Sequence, residues 1–298
     1  MTIKIVADSA CDIPEEIIRQ LDITIVPLFI NVGSKSFLDG VDLTREDFYR
    51  NLPTYSTQPT TAAPGPDAFQ KAYEHLAAQG ADEIVSIHIS KKLSNTIDSA
   101  HIAARETTSV PVTVIDSRQL SLGFGFVVMA AAEAAARGQS MQEVIRATEE
   151  RIACTYTFAV LDTIEYLRRS GRMNLAVASI ASLLKIKPLL KMYNGETDAE
   201  RVRTFSRGMD RLVDLVRQTA PLQALALVHT NAPETAQKLR GKAQQLFPDA
   251  HEPLSVNVTP VLGAHLGPGA VGFVCVSTCG RELEGASLLD NFYNLVKN

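Results

Sequence analysis

The sequence predicts an α/β protein of two α/β domains: an N-terminal three-layer domain around a parallel sheet, and a C-terminal domain with a mixed sheet. Three observations carry this. The first half alternates strand and helix signals, and alternating βα units build parallel sheets with helices on both faces. The second half mixes such units with a hairpin. The length, 298 residues, suits two domains at roughly 100–200 residues each. The boundary is placed near 150–160, giving units 1–155 and 156–298, although no Pro/Gly-rich linker marks it.

In the first half, residues 4–7 read as a buried strand running into Asp8-Ser9. Asp12 with Glu15 three residues on has capping-box spacing and predicts a helix start. The run 23–32 is strand-like, and Thr44 with Asp47 marks another helix start. Phe69, Ala72, Tyr73 and Leu76 fall on one helical face. Residues 83–89 form a strand, and Ser94 is the expected N-cap of the helix carrying Ile97, Ala100 and Ala104. Residues 110–115 lead into Asp116-Ser117 and then a long apolar helix, 119–137. Ligands of open α/β sheets bind beyond the carboxyl ends of the strands. The loops at Ser9, Ser94 and Ser117 are therefore expected along one edge.

In the second half, a polar stretch (165–174) precedes a helix-like segment (175–184) and a strand (185–193). Asn194-Gly195 is a favoured hairpin turn, from which a charged strand returns through Arg201 and Arg203. Strands follow at 225–229, 254–258 and 271–277. Between them Asn231 is read as the cap of a helix with Pro233 in its first turn and Ala236, Leu239, Ala243 and Leu246 inward.

Composition excludes several classes. The net charge of −4 and 21% charged residues lack the basic footprint of a nucleic-acid binder. The N-terminus lacks a signal-peptide pattern and no apolar run reaches bilayer length, so a cytoplasmic protein without an integral membrane segment is expected. Cys11, Cys154, Cys275 and Cys279 are too scattered for a disulfide framework, and Cys275 and Cys279 read as buried thiols. No phosphate-binding loop, nucleophile elbow or zinc-spaced His pair is present. Gly123-Phe124-Gly125 lies in an apolar helix, where close packing explains it. His75, His101 and His251 read as structural or solvated.

His265 stands apart, as a single titratable side chain among Gly263, Gly267, Pro268 and Gly269. Glycine is expected where backbone turns sharply or approaches a ligand, so a tight turn and a binding site both fit. Ser94 fits both a helix cap and an anion site at a helix N-terminus.

Taken in order, the motifs resemble those of the bacterial DegV family. Ala7-Asp8-Ser9-Ala10-Cys11-Asp12-Ile13-Pro14 resembles its opening segment. Val26-Pro27-Leu28, Leu38-Asp39-Gly40, Pro59-Thr60-Thr61, Leu93-Ser94-Asn95-Thr96 and Ile115-Asp116-Ser117 follow. Tyr166-Leu167-Arg168-Arg169-Ser170-Gly171-Arg172, Leu184-Lys185-Ile186-Lys187-Pro188, Arg203-Thr204 and Gly263-Ala264-His265-Leu266-Gly267-Pro268-Gly269 complete the series. It covers residues 3 to about 277; beyond it, 288–296 are read as an added helix.

The resemblance implies a fatty-acid-binding protein with no catalysis of its own and no cofactor, akin to the FakB subunit of bacterial fatty acid kinase. A long-chain fatty acid would lie between the two domains. Its carboxylate would be presented to a separate ATP-binding kinase subunit for conversion to acyl phosphate. On the family pattern Thr61 and Ser94 donate to the carboxylate, and His265 and Arg172 complete the polar end, with Asn95, Ser117 and Ser9 in support. Ala62 and Asn95 depart from the usual Ser and Gly, which removes one donor and adds an amide. The basic residues Lys185, Lys187, Arg201, Arg203 and Arg207 form either a solvated face or a docking surface for the kinase, with Arg201, Arg203 and Lys187 foremost. The rival readings are a lipid-responsive regulatory protein and a small-substrate kinase-like enzyme.

Overall fold

Strand pairing resolves the chain into three sheets. The computed structural model describes residues 1–172, 187–248 and 253–278. Strands β1 (Ile3–Asp8), β2 (Ile23–Val26), β6 (Glu83–His88) and β7 (Val112–Asp116) form a parallel sheet in the order β2-β1-β6-β7. A small antiparallel sheet joins β3 (Phe29–Val32), β4 (Lys35–Leu38) and β5 (Thr60–Ala62), with β3 central. The third sheet holds β8 (Thr155–Val160), β9 (Lys187–Tyr193), β10 (Glu196–Val202), β11 (Leu222–His229), β12 (Ser255–Asn257) and β13 (Val271–Ser277), in the order β10-β9-β8-β13-β11-β12. It is mixed: only β11 and β12 are parallel. Asn194 and Gly195 both have positive φ, 46° and 81°, as a tight β9–β10 hairpin requires.

Burial decides where the helices sit. On one face of the parallel sheet, α3 (Pro66–Ala78) and α4 (Thr96–Glu106) share a core with Val6, Val26 and Ile84 through Phe69, Tyr73, Leu76, Ala100 and Ala103. On the other face lies α5 (Ser121–Ala136), with α6 (Met141–Cys154) beside it. The core that includes α5 takes in Ile5, Ala7, Val85 and Ile87 of the parallel sheet and Ala224, Ala226, Val274 and Val276 of the mixed sheet. A helix covered from both sides needs no polar stripe, which explains its apolar composition. Gly123 and Gly125 give it close approach. A Cβ at 123 would fall 2.5 Å from Thr157 Oγ1, and one at 125 would fall 2.4 Å from the Cys11 carbonyl oxygen. On the far face of the mixed sheet, α8 (Phe205–Gln218) and α9 (Pro233–Lys242) bury Leu212, Val216, Ala236 and Leu239, with Ala243 just after α9, against Leu225, Leu227 and Phe273.

Four local expectations are corrected. The run 23–32 is two strands in different sheets. Pro27 offers no N–H to continue the ladder, and the Leu28 N–H donates to Ser9 Oγ instead. Asp12 forms no capping box: α1 (Glu15–Gln20) starts after Pro14 without a side-chain cap, and the Asp12 carboxylate bonds across the molecule. The residue before α4 is Asn95, not Ser94, although Ser94 Oγ still accepts from the Thr96 N–H at 3.3 Å. Ala232, not Asn231, precedes α9. Thr44 does cap α2 (Arg45–Asn51), accepting from the Asp47 N–H at 3.1 Å. Cys11 and Cys275 are buried free thiols. The expected helices at 175–184 and 288–296, with Lys185, His251 and Cys279, lie outside the described residues.

Candidate functional site

The carboxyl edge of the parallel sheet faces the mixed sheet across a cavity of about 610 Å³. Ile89, Leu93, Ser94 and Asn95 enter it from the β6–α4 loop, and Leu120 from the loop before α5. The opposing wall is a sheet face. Thr157 and Ala159 of β8 pair with Met192 and Leu190 of β9, and Met192 pairs in turn with Thr197 of β10. Paired residues project to the same side, so these five share the cavity side. On the opposite side Lys191 is neutralised by Asp198 at 2.5 Å and Glu200 at 3.0 Å, with Arg211 of α8 closing the network. Alternation thus directs Lys191 toward Glu200 and Arg211, although Lys191 and Asp198 still border the cavity, as do Lys91 and Lys92. Val261, Leu262, His265 and Leu266 of α10 (Pro260–Leu266) and Leu167 of α7 (Glu165–Arg169) also line it.

This largely apolar cavity also carries polar groups, four of them expected from the sequence. Thr61, Ser94, Arg172 and His265 all line the cavity, arriving from β5, the β6–α4 loop, the segment after α7, and α10. Thr61 Oγ1 lies 2.9 Å from His265 Nε2. His265 Nδ1 is buried without a hydrogen-bond partner among the described residues. An unpaired buried donor is rarer than an undersatisfied acceptor, so the proton belongs on Nε2. His265 then donates to Thr61 Oγ1, which leaves the threonine hydroxyl hydrogen free to donate elsewhere. Burial pushes the His265 pKa down to about 4, and the Arg172 guanidinium adds to the shift. The imidazole is therefore neutral at pH 7, and Arg172 carries the fixed positive charge. Arg172 Nη1 donates to the Ser170 carbonyl at 3.1 Å, and Ser94 Oγ lies 2.8 Å from Thr96 Oγ1.

The glycine-rich segment around His265 forms a tight turn and sets His265 in the cavity wall. Gly267 ends α10 at φ 71° and ψ 172°, a conformation open essentially to glycine alone. A Cβ there would lie 2.3 Å from the Tyr166 ring. The turn is tight, and it brings α10 against α7 so that His265 and Arg172 line one cavity.

The other expected residues fall in different places. Asn95 lines the cavity. Ser9 and Ser117 sit at the same sheet edge but are used locally. Ser9 Oγ donates to Asp39 at 2.6 Å, and buried Ser117 makes a turn, accepting from the Gln119 N–H at 3.2 Å. Lys187 Nζ is held by the Asp162 carboxylate at 2.8 Å. Arg201, Arg203 and Arg207 are exposed and make no ion pair among the described residues. The sequence reading missed the apolar wall of Leu190 and Met192; alternation along 187–193 was the available signal. It also missed a Ser-His-Asp arrangement. Ser86 Oγ is 2.8 Å from His88 Nε2, and His88 Nδ1 is 3.2 Å from Asp8. All three side chains are fully buried, Tyr73 OH donates to the serine, and none lines the cavity. This is a satisfied core network.

Comparison with known proteins agrees with the fold. A family model described as "uncharacterised protein, DegV family" matches residues 2–278. A DegV domain-containing protein of Streptomyces coelicolor is 36% identical over 280 residues, which cover 92% of this chain and 98% of that one. A fatty-acid-binding DegV family protein from Thermus thermophilus superposes with a TM-score of 0.85 at 29% identity, covering 93% of this chain and all of its own. DegV of Bacillus subtilis, a fatty acid binding protein, superposes with a TM-score of 0.84 at 30% identity, covering 93% and 99%. From the parallel sheet to the glycine-rich turn at His265, this chain belongs to the DegV family.

Proposed function

We propose that the protein binds a long-chain fatty acid in the cavity and presents its carboxylate to a separate ATP-binding kinase subunit, without catalysing the transfer itself. The observation that carries this is the contact between Thr61 and His265 in a largely apolar cavity that Ser94 and Arg172 also line. Burying an alkyl chain gains about 0.8 kcal/mol per CH₂, roughly 12 kcal/mol gross for sixteen carbons. The cavity volume of about 610 Å³ falls within the ordinary range for ligand pockets, about 300–1,000 Å³. An enclosed carboxylate needs donors and a compensating charge. The Thr61 and Ser94 hydroxyls supply donors, and Arg172 supplies the charge and stronger charge-assisted bonds. The fatty-acid-binding relatives from T. thermophilus and B. subtilis support the ligand class. The kinase partner rests on the family resemblance.

The test is extraction of the purified protein and mass spectrometry. Near one equivalent of long-chain fatty acid is expected; protein free of lipid that turns over a small substrate by itself overturns the reading. Addition of ATP and a fatty acid kinase subunit should then convert the bound acid to acyl phosphate. Retention of unmodified acid would refute presentation while leaving binding intact.

A further inference from the structure

Three side chains from the first fifty residues grip three consecutive backbone groups near the other end of the sequence. Arg45 Nη1 donates to the Asn257 carbonyl at 2.5 Å, and Tyr49 OH donates to the Val258 carbonyl at 2.9 Å. The Thr259 N–H donates to Asp12 Oδ1 at 2.7 Å. Arg45 and Tyr49 lie four residues apart on α2 and so share a face. Asp12 is fully buried, with φ at 55°. Its second oxygen accepts from Ser121 Oγ at 2.5 Å, and the Arg45 guanidinium lies 3.7 Å from the first.

Residues 257–259 are the entry to α10, and α10 carries His265. The helix is short, with Pro260 in its first turn, so a displacement at Thr259 reaches His265 with little to absorb it. Tyr49 fixes the helix a second way. A Cβ at Gly263 would fall 2.4 Å from Tyr49 OH, so the helix rests directly on the phenol. At the far end Gln58 Nε2 donates to the Ala264 carbonyl at 2.8 Å, one residue before the contact between Thr61 and His265.

A buried carboxylate is a costly way to gain stability, since the desolvation of an ion pair can exceed its attraction. A well-packed apolar contact would hold α10 to the core without that penalty. What three directed hydrogen bonds add is placement, because donor and acceptor must meet within a few tenths of an ångström. Side chains that bind a ligand work only when a supporting shell holds them to about half an ångström.

We propose that Asp12, Arg45 and Tyr49 are positioning residues of the carboxylate site. They fix the register of residues 257–259, so that His265 meets Thr61 and turns its hydroxyl toward the ligand. The proposal rests on the reading of the cavity as a fatty-acid site. It gives the Asp12 of the opening motif a role at the polar end of the cavity, which it does not itself line.

The experiment uses the full chain with Tyr49→Phe, which deletes one hydrogen bond and keeps the ring, and Arg45→Met, which deletes another and keeps much of the stem. Leu239→Ala, in the separate core under α9, serves as a control for general destabilisation. Palmitate affinity is measured by calorimetry, and the His265 ring resonances are recorded by NMR in ligand-free protein. Tyr49→Phe and Arg45→Met are expected to weaken palmitate binding five- to twentyfold and to shift the His265 resonances. Leu239→Ala is expected to lower the melting temperature while leaving both readouts in place. Affinity within twofold of wild type with unmoved His265 signals in both variants overturns the proposal, as does an equal loss in Leu239→Ala. If the wild type binds no palmitate, the fatty-acid reading fails, and the ligand-free His265 spectra still decide the clamp.

Discussion

Thr61 Oγ1 and His265 Nε2 stand 2.9 Å apart although 204 positions separate them in the chain. With the imidazole as donor, the threonine hydroxyl is oriented before any ligand arrives, and preorganisation of this kind reduces the cost of binding. Thr61→Ala and Ser94→Ala each remove one donor from a partly enclosed carboxylate, a loss of about 1–2 kcal/mol. The expected result is roughly five- to thirtyfold weaker fatty-acid binding in each variant, read by displacement of a fluorescent fatty acid. Wild-type affinity in both would refute the assignment of the polar end.

His265 also sets a pH dependence. Its pKa of about 4 in the folded chain lies below the ordinary value of 6.5, so between those values the unfolded chain binds the extra proton. Native stability contributed by this group therefore falls as pH drops through that window, with a slope of at most about 1.4 kcal/mol per pH unit. Asp39 and Glu133, both pushed up to about 7 by burial, act in the opposite sense and gain stability as pH falls. The comparison that isolates the histidine is wild type against His265→Gln. The variant should lose less stability between pH 6.5 and 4, measured as urea midpoints; parallel curves for the two proteins would contradict the depressed pKa.

Gly267 is the tightest point of the turn. Gly267→Ala combines a backbone conformation that alanine avoids with a Cβ 2.3 Å from the Tyr166 ring, and strain of the first kind alone costs about 1–3 kcal/mol. A fall in melting temperature of several degrees is expected, together with weaker fatty-acid binding as α10 and α7 move apart. A melting curve that superposes on the wild type would mean that the turn tolerates a side chain.

Arg203 offers an exposed charge without an ion pair among the described residues. If the basic face guides the kinase subunit, Arg203→Glu should lower acyl phosphate formation at limiting kinase several-fold and leave fatty-acid affinity unchanged, since electrostatic complementarity acts chiefly on encounter. Undiminished coupling would reduce this face to solvated charge.

Much of this was legible in the sequence wherever the signal was local. The hydrophobic period placed Phe69, Tyr73 and Leu76 on the buried face of α3, and the Asn194-Gly195 turn fixed its hairpin. The parallel topology put the Ser94 loop at the cavity. Several of the losses trace to a partner distant in sequence, and others to a local turn or a proline. Asp12 has the spacing of a helix cap, yet its donor is the Thr259 N–H, 247 positions on. The run 23–32 looks continuous because β-propensity does not register that Pro27 hands the chain from one sheet to another. Ser9 and Ser117 share the edge with Ser94, but Asp39 and Gln119 claim them. No periodicity reports that a second sheet covers α5.

The grip of Asp12, Arg45 and Tyr49 on residues 257–259 also imposes an order in time. A polypeptide leaving the ribosome presents Thr61 and Ser94 long before His265, and domains tend to fold N-terminal first. Until Thr259 emerges, the Asp12 carboxylate has no backbone donor there, and α10 has nowhere to dock. The polar end of the cavity is thus complete only once the chain has been made through His265, 204 positions after Thr61. A ligand that needs both Thr61 and His265 can be held only after that point.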